Sequence, residues 1–435
     1  MIYEIADKCI KEVEKISDEW EIYISNGESV EIESQKDVLN FAKKEVEQGI
    51  GIRILKDNKM GFAYTTDLSK IRETAEKSLE NSKLNKADEN YEFSKPSKVK
   101  EVKGRYDDNY SNLSADDYCE FLENIIARTK ENKCEVITSC FSASQAEELI
   151  LNSNDVSLYD KVTGYSGELS VNLERNGEYA TAYDYGISRY FDIEYEKLAD
   201  NVCKLAHDSL NPKSIETKHC SVILDYPAAS KLLSTFIQSF NGENILRKRS
   251  VLHDKIGKKV ADSSLTITDN PLIEGGMLSS KADGEGTPSH ETVLVENGIL
   301  KSFLYDIYTA NKAGCETTSN GYRASYLTTP QVTPTNIVFD YKNEISLDEI
   351  DTGILTTSVL GAHTANPISG DFSVELDNAF TIENGEIQDS VKKAMISGNV
   401  FDIVKNSSAL KSEIKQRGLF IIPKILVNEL KVIGL

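Results

Sequence analysis

Asp283 and Glu285 flank Gly284 in the loop DGEGTPSH, and two carboxylates at that spacing could bind a cation or a substrate amine. The same pair also makes a plain acidic turn in a chain that holds 70 acidic residues. His290 and Glu291 are adjacent, but the run they open alternates as a strand, where neighbouring side chains point to opposite faces and cannot address one metal together. His363 stands among small residues in GAHTANPISGDF, ahead of Asp371, in a loop where glycine lets a ligand approach the backbone. None of the patterns HExxH, GxSxG, Walker A or the Rossmann glycine fingerprint occurs, so metal hydrolysis, nucleophilic-serine and nucleotide chemistry lack their usual motifs.

The elements that must position these groups follow from the apolar spacing. Ile2, Ile5, Cys9, Val13 and Ile16 form one helical stripe. Trp20, Ile22 and Ile24 alternate up to Asn26-Gly27, and Val30 and Ile32 alternate beyond it, which predicts a hairpin turning at Asn26-Gly27. A second hairpin is predicted around Asp57-Asn58, then a helix carrying Ile71, Ala75 and Leu79, giving helix, four strands, helix. Residues 82 to 112 are polar and read as a long connection over the surface. Ser114 and Asp117 then start a helix bearing Tyr118, Phe121, Leu122 and Ile125. Strand-like runs follow at 134–141, 147–152, 164–173 and 179–190, and a helix over 194–207 closes the second half. Residues 1–81 and 113–207 therefore read as a possible internal repeat.

Asn211-Pro212 marks a boundary, dividing the chain into an N-terminal domain, 1–210, and a C-terminal domain, 211–435. In the latter, SVILDYP is a strand whose Pro227 suits the first turn of a helix through Leu232, Leu233, Phe236 and Phe240. Turns at Asn297-Gly298 and Asn384-Gly385 punctuate the strands that follow. The expected class is α+β: a duplicated helix–antiparallel-strands–helix domain followed by a strand-rich mixed domain.

The bulk numbers exclude more than they assign. A net charge of -21 over 435 residues argues against contact with a phosphate backbone, so no direct nucleic-acid partner is expected. With no signal-peptide pattern and no apolar run of membrane-spanning length, a cytoplasmic protein without a membrane partner is expected. Seven cysteines without a CxxC pair read as reduced, mostly buried thiols.

The stretch from Asp283 to Ser325 resembles the signature of the TldD/PmbA family, described as modulators of DNA gyrase and as peptidases. An acidic-Glu-Gly loop, a T-x-L-I/V-E-x-G-x-L strand pair, a D-x-x-T/S-A helix and a T-G-N-G/A loop stand here as DGEG, TVLVENGIL, DIYTA and TSNGYR. Residues 352–400 resemble the PmbA branch, and EQGIGIRILKDNKMGFAYTTDLS adds a third match.

The resemblance implies a dimer enclosing a cavity, in which the catalytic subunit carries HExxxH on the first helix of the C-terminal domain and binds zinc there. In this chain that helix reads KLLSTFIQSFNGEN, with Ser234, Thr235 and Ser239 at the motif's positions. Hydroxyls replace imidazoles and carboxylate, so no metal site or catalytic residue is expected in this chain and zinc is expected only in a TldD-like partner. The implied role is a non-metal subunit that pairs with an HExxxH-bearing partner, or with itself, around peptide substrates. Asp283, Glu285, Asn320, Arg323, His363 and Asp371 are then candidates for peptide or partner contact, Arg323 either addressing a peptide carboxylate or standing as a solvated surface cation. The alternative is a non-catalytic homodimer that binds peptides or modulates another protein.

Overall fold

The computed structural model describes residues 2–434. Its N-terminal half is one six-stranded antiparallel sheet, and each half of that sheet is a helix, three strands and a helix. The first half comprises α1 (Ile2–Val13), β1 (Trp20–Gln35), β2 (Val38–Lys56), β3 (Lys59–Thr65) and α2 (Ile71–Leu84). The second comprises α3 (Ala115–Glu131), β4 (Glu135–Asn152), β5 (Ser157–Arg175), β6 (Glu178–Ser188) and α4 (Tyr195–Asp208). The strand order β3-β2-β1-β4-β5-β6 joins the halves through β1 and β4, antiparallel from Glu21 opposite Asn152 to Gln35 opposite Thr138.

All four long helices lie on one face. Ile22, Ile24, Ile50 and Ile52 pack under α1 and α2, while Ile32, Phe141 and Leu169 pack under α3 and α4. The capping box of Ser114 and Asp117 starts α3 as expected. The turn at Asp57-Asn58 has positive φ at both residues, the geometry that matches strand twist.

The number of strands per half differs from the sequence reading. There are three, not four, because Asn26-Gly27 lies inside β1 with neighbours on both sides: Gly27 sits opposite Glu47 on β2 and Ala146 on β4. Two ladders hold the backbone extended there, and the turn falls instead at Lys36, whose φ is positive. The runs 134–141 and 147–152 likewise fuse into β4. Residues 82–112 are not a simple surface layer: Phe93 packs against Leu55 and Met60, and Ser94 and Tyr110 are buried.

In the C-terminal half, Lys218–Leu224, Thr352–Leu360, Asp371–Glu383, Ala394–Asn399 and Ile425–Gly434 form a closed ring of strands, since the first pairs with both the second and the last. A second, six-stranded sheet includes Leu265–Asp269, Thr292–Glu296 and Ile337–Tyr341. Helix α5 (Tyr226–Ile237), capped by Asp225 with Pro227 in its first turn, buries Leu232, Leu233 and Phe236 in the core shared by these sheets. Both Asn297-Gly298 and Asn384-Gly385 are turns with positive φ at each residue. The fold is α+β, with a duplicated N-terminal domain and a strand-rich C-terminal domain. Among the described residues no helix is long and apolar enough to cross a membrane.

Candidate functional site

The DGEG loop folds around its own first carboxylate. Asp283 accepts from the backbone N–H groups of Glu285, Thr287 and Gly321, each at 2.9 Å. This ties it to the NGYR loop, and Gly284 N–H donates to the Gly321 carbonyl at 2.7 Å. A Cβ on residue 284 would stand 2.7 Å from that carbonyl and 2.9 Å from Arg323 Cβ, so only glycine fits.

The joined loops press on the helix-free face of the N-terminal sheet, where alternation places Glu21 and Tyr23 on β1 and Arg53 on β2. Arg53 grips Glu21 with two hydrogen bonds, 2.8 and 2.6 Å. Arg323 also reaches Glu21, donates to the Gly284 carbonyl at 3.0 Å and lies over the Tyr23 ring. Glu285 accepts from Ile307 N–H at 2.9 Å and stands 3.5 Å from Arg53 Nη1. Glu21, Arg53, Glu285 and Arg323 are all buried. Arg323 is thus an interior cation, not a solvated one.

Four carboxyl groups, Glu21, Asp283, Glu285 and Asp306, crowd around two guanidiniums. Burial would push Glu21 upward, but Arg323 and Arg53 hold it below its usual range. Burial, with repulsion from Asp306, pushes Asp283 up to about 6 despite its three backbone donors. Glu285 goes up to about 8, because burial and the neighbouring acids outweigh Arg53. Asn320 is buried beside this cluster, donating to Asp269 at 2.7 Å and to the Thr333 carbonyl at 3.0 Å. Burial pushes Asp269 up to about 6.

Next to the cluster, a cavity of about 480 Å³ lies between β4 and β5 on one side and the C-terminal loops 277–284, 319–324 and 333–335 on the other. Glu148 in its wall accepts from Tyr23 Oη at 2.7 Å and is pushed upward by burial. Arg105 pairs with Asp160 and donates to the Ser279 carbonyl. Arg189 donates to the carbonyls of Thr163, at 2.7 Å, and Met277. Burial and the nearby Arg105 pull Arg189 down to about 10.

The other predicted residues gather elsewhere. Ser234 and Thr235 of α5 line an open groove of about 550 Å³ together with Lys231, Gln238 and, from the facing loop, His363. Lys231 Nζ donates to Ser358 Oγ at 2.7 Å, and Ser234 Oγ to the Ser230 carbonyl at 2.8 Å. Ser239 is buried, its carbonyl accepting from Ser250 Oγ at 2.7 Å. Asp371 is exposed at the end of the His363 loop, bonded to Ser369 and Asn399 rather than facing the groove. His290 does not share a ligand set with Glu291: its Nδ1 lies 3.2 Å from Ser319 Oγ, while Glu291 accepts from Asn270. All seven cysteines are free thiols; Cys9, Cys134 and Cys203 are buried, and Cys315 is exposed.

Thus the structure joins Asp283, Glu285, Asn320 and Arg323 in one interdomain cluster, and Ser234, Thr235 and His363 in one groove. Sequence reasoning passed over Glu21, Arg53, Glu148 and Arg189; Glu21 and Arg53 stand between apolar neighbours in a strand, whereas Glu148 follows Glu147 and Arg189 lies just past the end of β6, between Ser188 and Tyr190.

Three family models match in series: PmbA/TldA metallopeptidase domain 1 over residues 20–82, its central domain over 108–210 and its C-terminal domain over 217–434. The chain belongs to the TldD/PmbA family. Within the family it is 34% identical over 97% of its length to 98% of an uncharacterized protein of Methanocaldococcus jannaschii. It is 30% identical over 67% of its length to 67% of the metalloprotease PmbA homolog of Haemophilus influenzae. The crystal structure of TldE from Thermococcus kodakarensis superposes with a TM-score of 0.91 at 25% identity, covering 99% of this chain and all of that one.

Proposed function

We propose that this TldD/PmbA-family chain is the PmbA-like, non-metal-binding subunit of a cytoplasmic heterodimeric metallopeptidase acting on small or unfolded peptides. The observation that carries the reading is the donor set of α5. Ser234 and Thr235 present neutral hydroxyls to the groove, and Ser239 is sunk in the core. Zinc in catalytic sites is held by imidazole, thiolate or carboxylate, so these three positions do not fit the metal. Among the described residues no three His, Cys, Asp or Glu side chains converge as a metal-binding group. What the groove offers instead is hydrogen bonding from Gln238, His363 and Lys231, suited to holding an extended peptide or a partner's loop.

The test is metal analysis and peptide cleavage, first on the chain alone and then on the chain coexpressed with an HExxxH-bearing relative. The lone chain should hold no stoichiometric zinc and cleave nothing, and coexpression should give a stable complex with activity. Zinc and cleavage in the lone chain would overturn the reading. A complex-free homodimer with no activity gained on mixing would favour a non-catalytic peptide-binding or modulator role.

A further inference from the structure

Among the described residues Arg189 has no counter-ion. It directly follows β6 and is 8% exposed. Its guanidinium donates only to backbone carbonyls, and its buried Nε finds no acceptor. The nearest charges do not neutralise it: Arg105 repels it, and Asp160 is already engaged by Arg105. Lys281, also in the wall, pairs with Glu101 at 3.1 Å. A guanidinium out of water is ordinarily matched by a carboxylate in a bidentate pair, since carbonyl dipoles offset only part of its desolvation. This one instead forms part of the wall of the interdomain cavity, whose volume of about 480 Å³ is in the range of small-molecule sites.

The rest of the wall describes what would fit. Ile150, Leu158, Val162, Met277 and Pro334 give it an apolar lining. Glu148, Asp160 and Asp283 supply carboxyl groups on the same wall, so a multiply charged anion would be repelled while a single negative charge balances Arg189. We propose that this cavity binds a small monocarboxylate with an apolar body, the chemistry of an N-blocked amino acid or the C-terminal end of a short peptide, with the carboxylate set against Arg189. The site is separate from the α5 groove and stands whether or not the chain is a non-metal subunit.

Titration calorimetry on the full chain tests this with N-acetyl-L-leucine, N-acetyl-L-leucinamide and inorganic phosphate. The acid should bind saturably, the amide about tenfold more weakly or worse, and phosphate should not displace the acid. Arg189→Met should abolish the preference for acid over amide. Because Arg189 also ties β6 to the C-terminal loops, Leu278→Asp provides the second variant. Leu278 is in the cavity wall yet substantially exposed, so the fold should tolerate the change. A carboxylate there should weaken the acid about tenfold and leave the amide unchanged. Equal binding of acid and amide, displacement by phosphate, absence of saturable binding by either leucine derivative, or an L278D variant that binds the acid normally would each overturn the proposal.

Discussion

Arg323 and Glu21 form a buried ion pair across 302 residues of sequence, joining the NGYR loop of the C-terminal domain to the first strand of the N-terminal sheet. Glu21 is gripped from its own sheet by Arg53, so one carboxylate serves two guanidiniums from two domains. The family's most recognisable stretch is therefore an interdomain clasp: Gly284 permits the loops to touch, Asp283 fixes their backbones, and Arg323 and Glu285 carry the contact onto the sheet.

Losing Arg323 leaves Glu21 paired with Arg53 and removes one of its two guanidiniums. Arg323→Met should cost about 2–4 kcal/mol, from one charge-assisted hydrogen bond lost to Glu21 and the Gly284 carbonyl left without its donor. The double change Glu21→Gln with Arg323→Met also takes from Arg53 its bidentate carboxylate and should cost about 2 kcal/mol or more beyond Arg323→Met alone. Denaturant midpoints of the three proteins measure it. Equal stability of Arg323→Met and the parent would contradict the clasp.

The clasp also makes stability depend on pH in an unusual direction. Asp283 and Glu285 are raised in the folded state, to about 6 and about 8, above the ordinary 3.8 and 4.5 of free side chains. The folded protein therefore holds their protons more tightly than the unfolded chain does. Their contribution is complete below about pH 4 and is lost as pH rises, through about 6 for Asp283 and about 8 for Glu285, by at most about 1.4 kcal/mol per pH unit for each titrating group. Glu21, lowered, works the opposite way and only in acid. Glu285→Gln should flatten the decline between pH 6 and 8, because the amide stays neutral and still accepts from Ile307 N–H. Parallel pH profiles for the two proteins would refute this assignment.

The residues of the clasp show where sequence reasoning stops. Ile52 and Ile54 flank Arg53, and alternation correctly assigns the isoleucines to the core under the helices. The same alternation sends Arg53 and Glu21 to the other face, which a single strand cannot distinguish from a solvated one; it is covered by the loops at 283–285 and 321–323, about 230 or more residues away, and by Phe93, whose ring lies against Arg53. Local signals with a local cause survived: Ser114 caps α3, Pro227 starts α5, and Asn297-Gly298 turns where positive φ is needed. Asn26-Gly27 failed because two neighbouring strands hold it extended, outweighing the turn preference of an isolated pair. Helix α5 was legible from Pro227 and the spacing of Leu232, Leu233 and Phe236, but the groove partner of its Ser234 and Thr235, His363, comes from a loop over 120 residues on, and no spacing in the sequence links the two.

His363 separates stability from function. It is exposed, with only its groove position to commend it. His363→Ala should leave the thermal midpoint within about 1–2 °C of the parent, as surface changes do. If the groove holds substrate peptide in the assembled enzyme, kcat/KM of the complex should fall about two- to tenfold, the worth of one hydrogen bond, mostly through KM. Unchanged peptide kinetics in a properly assembled complex would remove the groove from the substrate path.

Gly49 tests the packing side of the domain contact. The ring of Tyr326, just beyond the NGYR loop, lies flat against the β2 backbone there, and a Cβ on residue 49 would stand 2.2 Å from Tyr326 Cγ. The strand offers no way out, because Gly49 is paired with Ser25 on β1. Gly49→Ala must therefore evict Tyr326 from its contact with Tyr23 and Ile150, at about 3 kcal/mol or more from overpacking and lost burial. Once the ring is gone the methyl group has room, so Gly49→Ala combined with Tyr326→Ala should be little worse than Tyr326→Ala alone. Denaturation of both single variants and the double measures this non-additivity. Simple addition of the two costs would mean that the alanine is resisted by something other than the tyrosine ring.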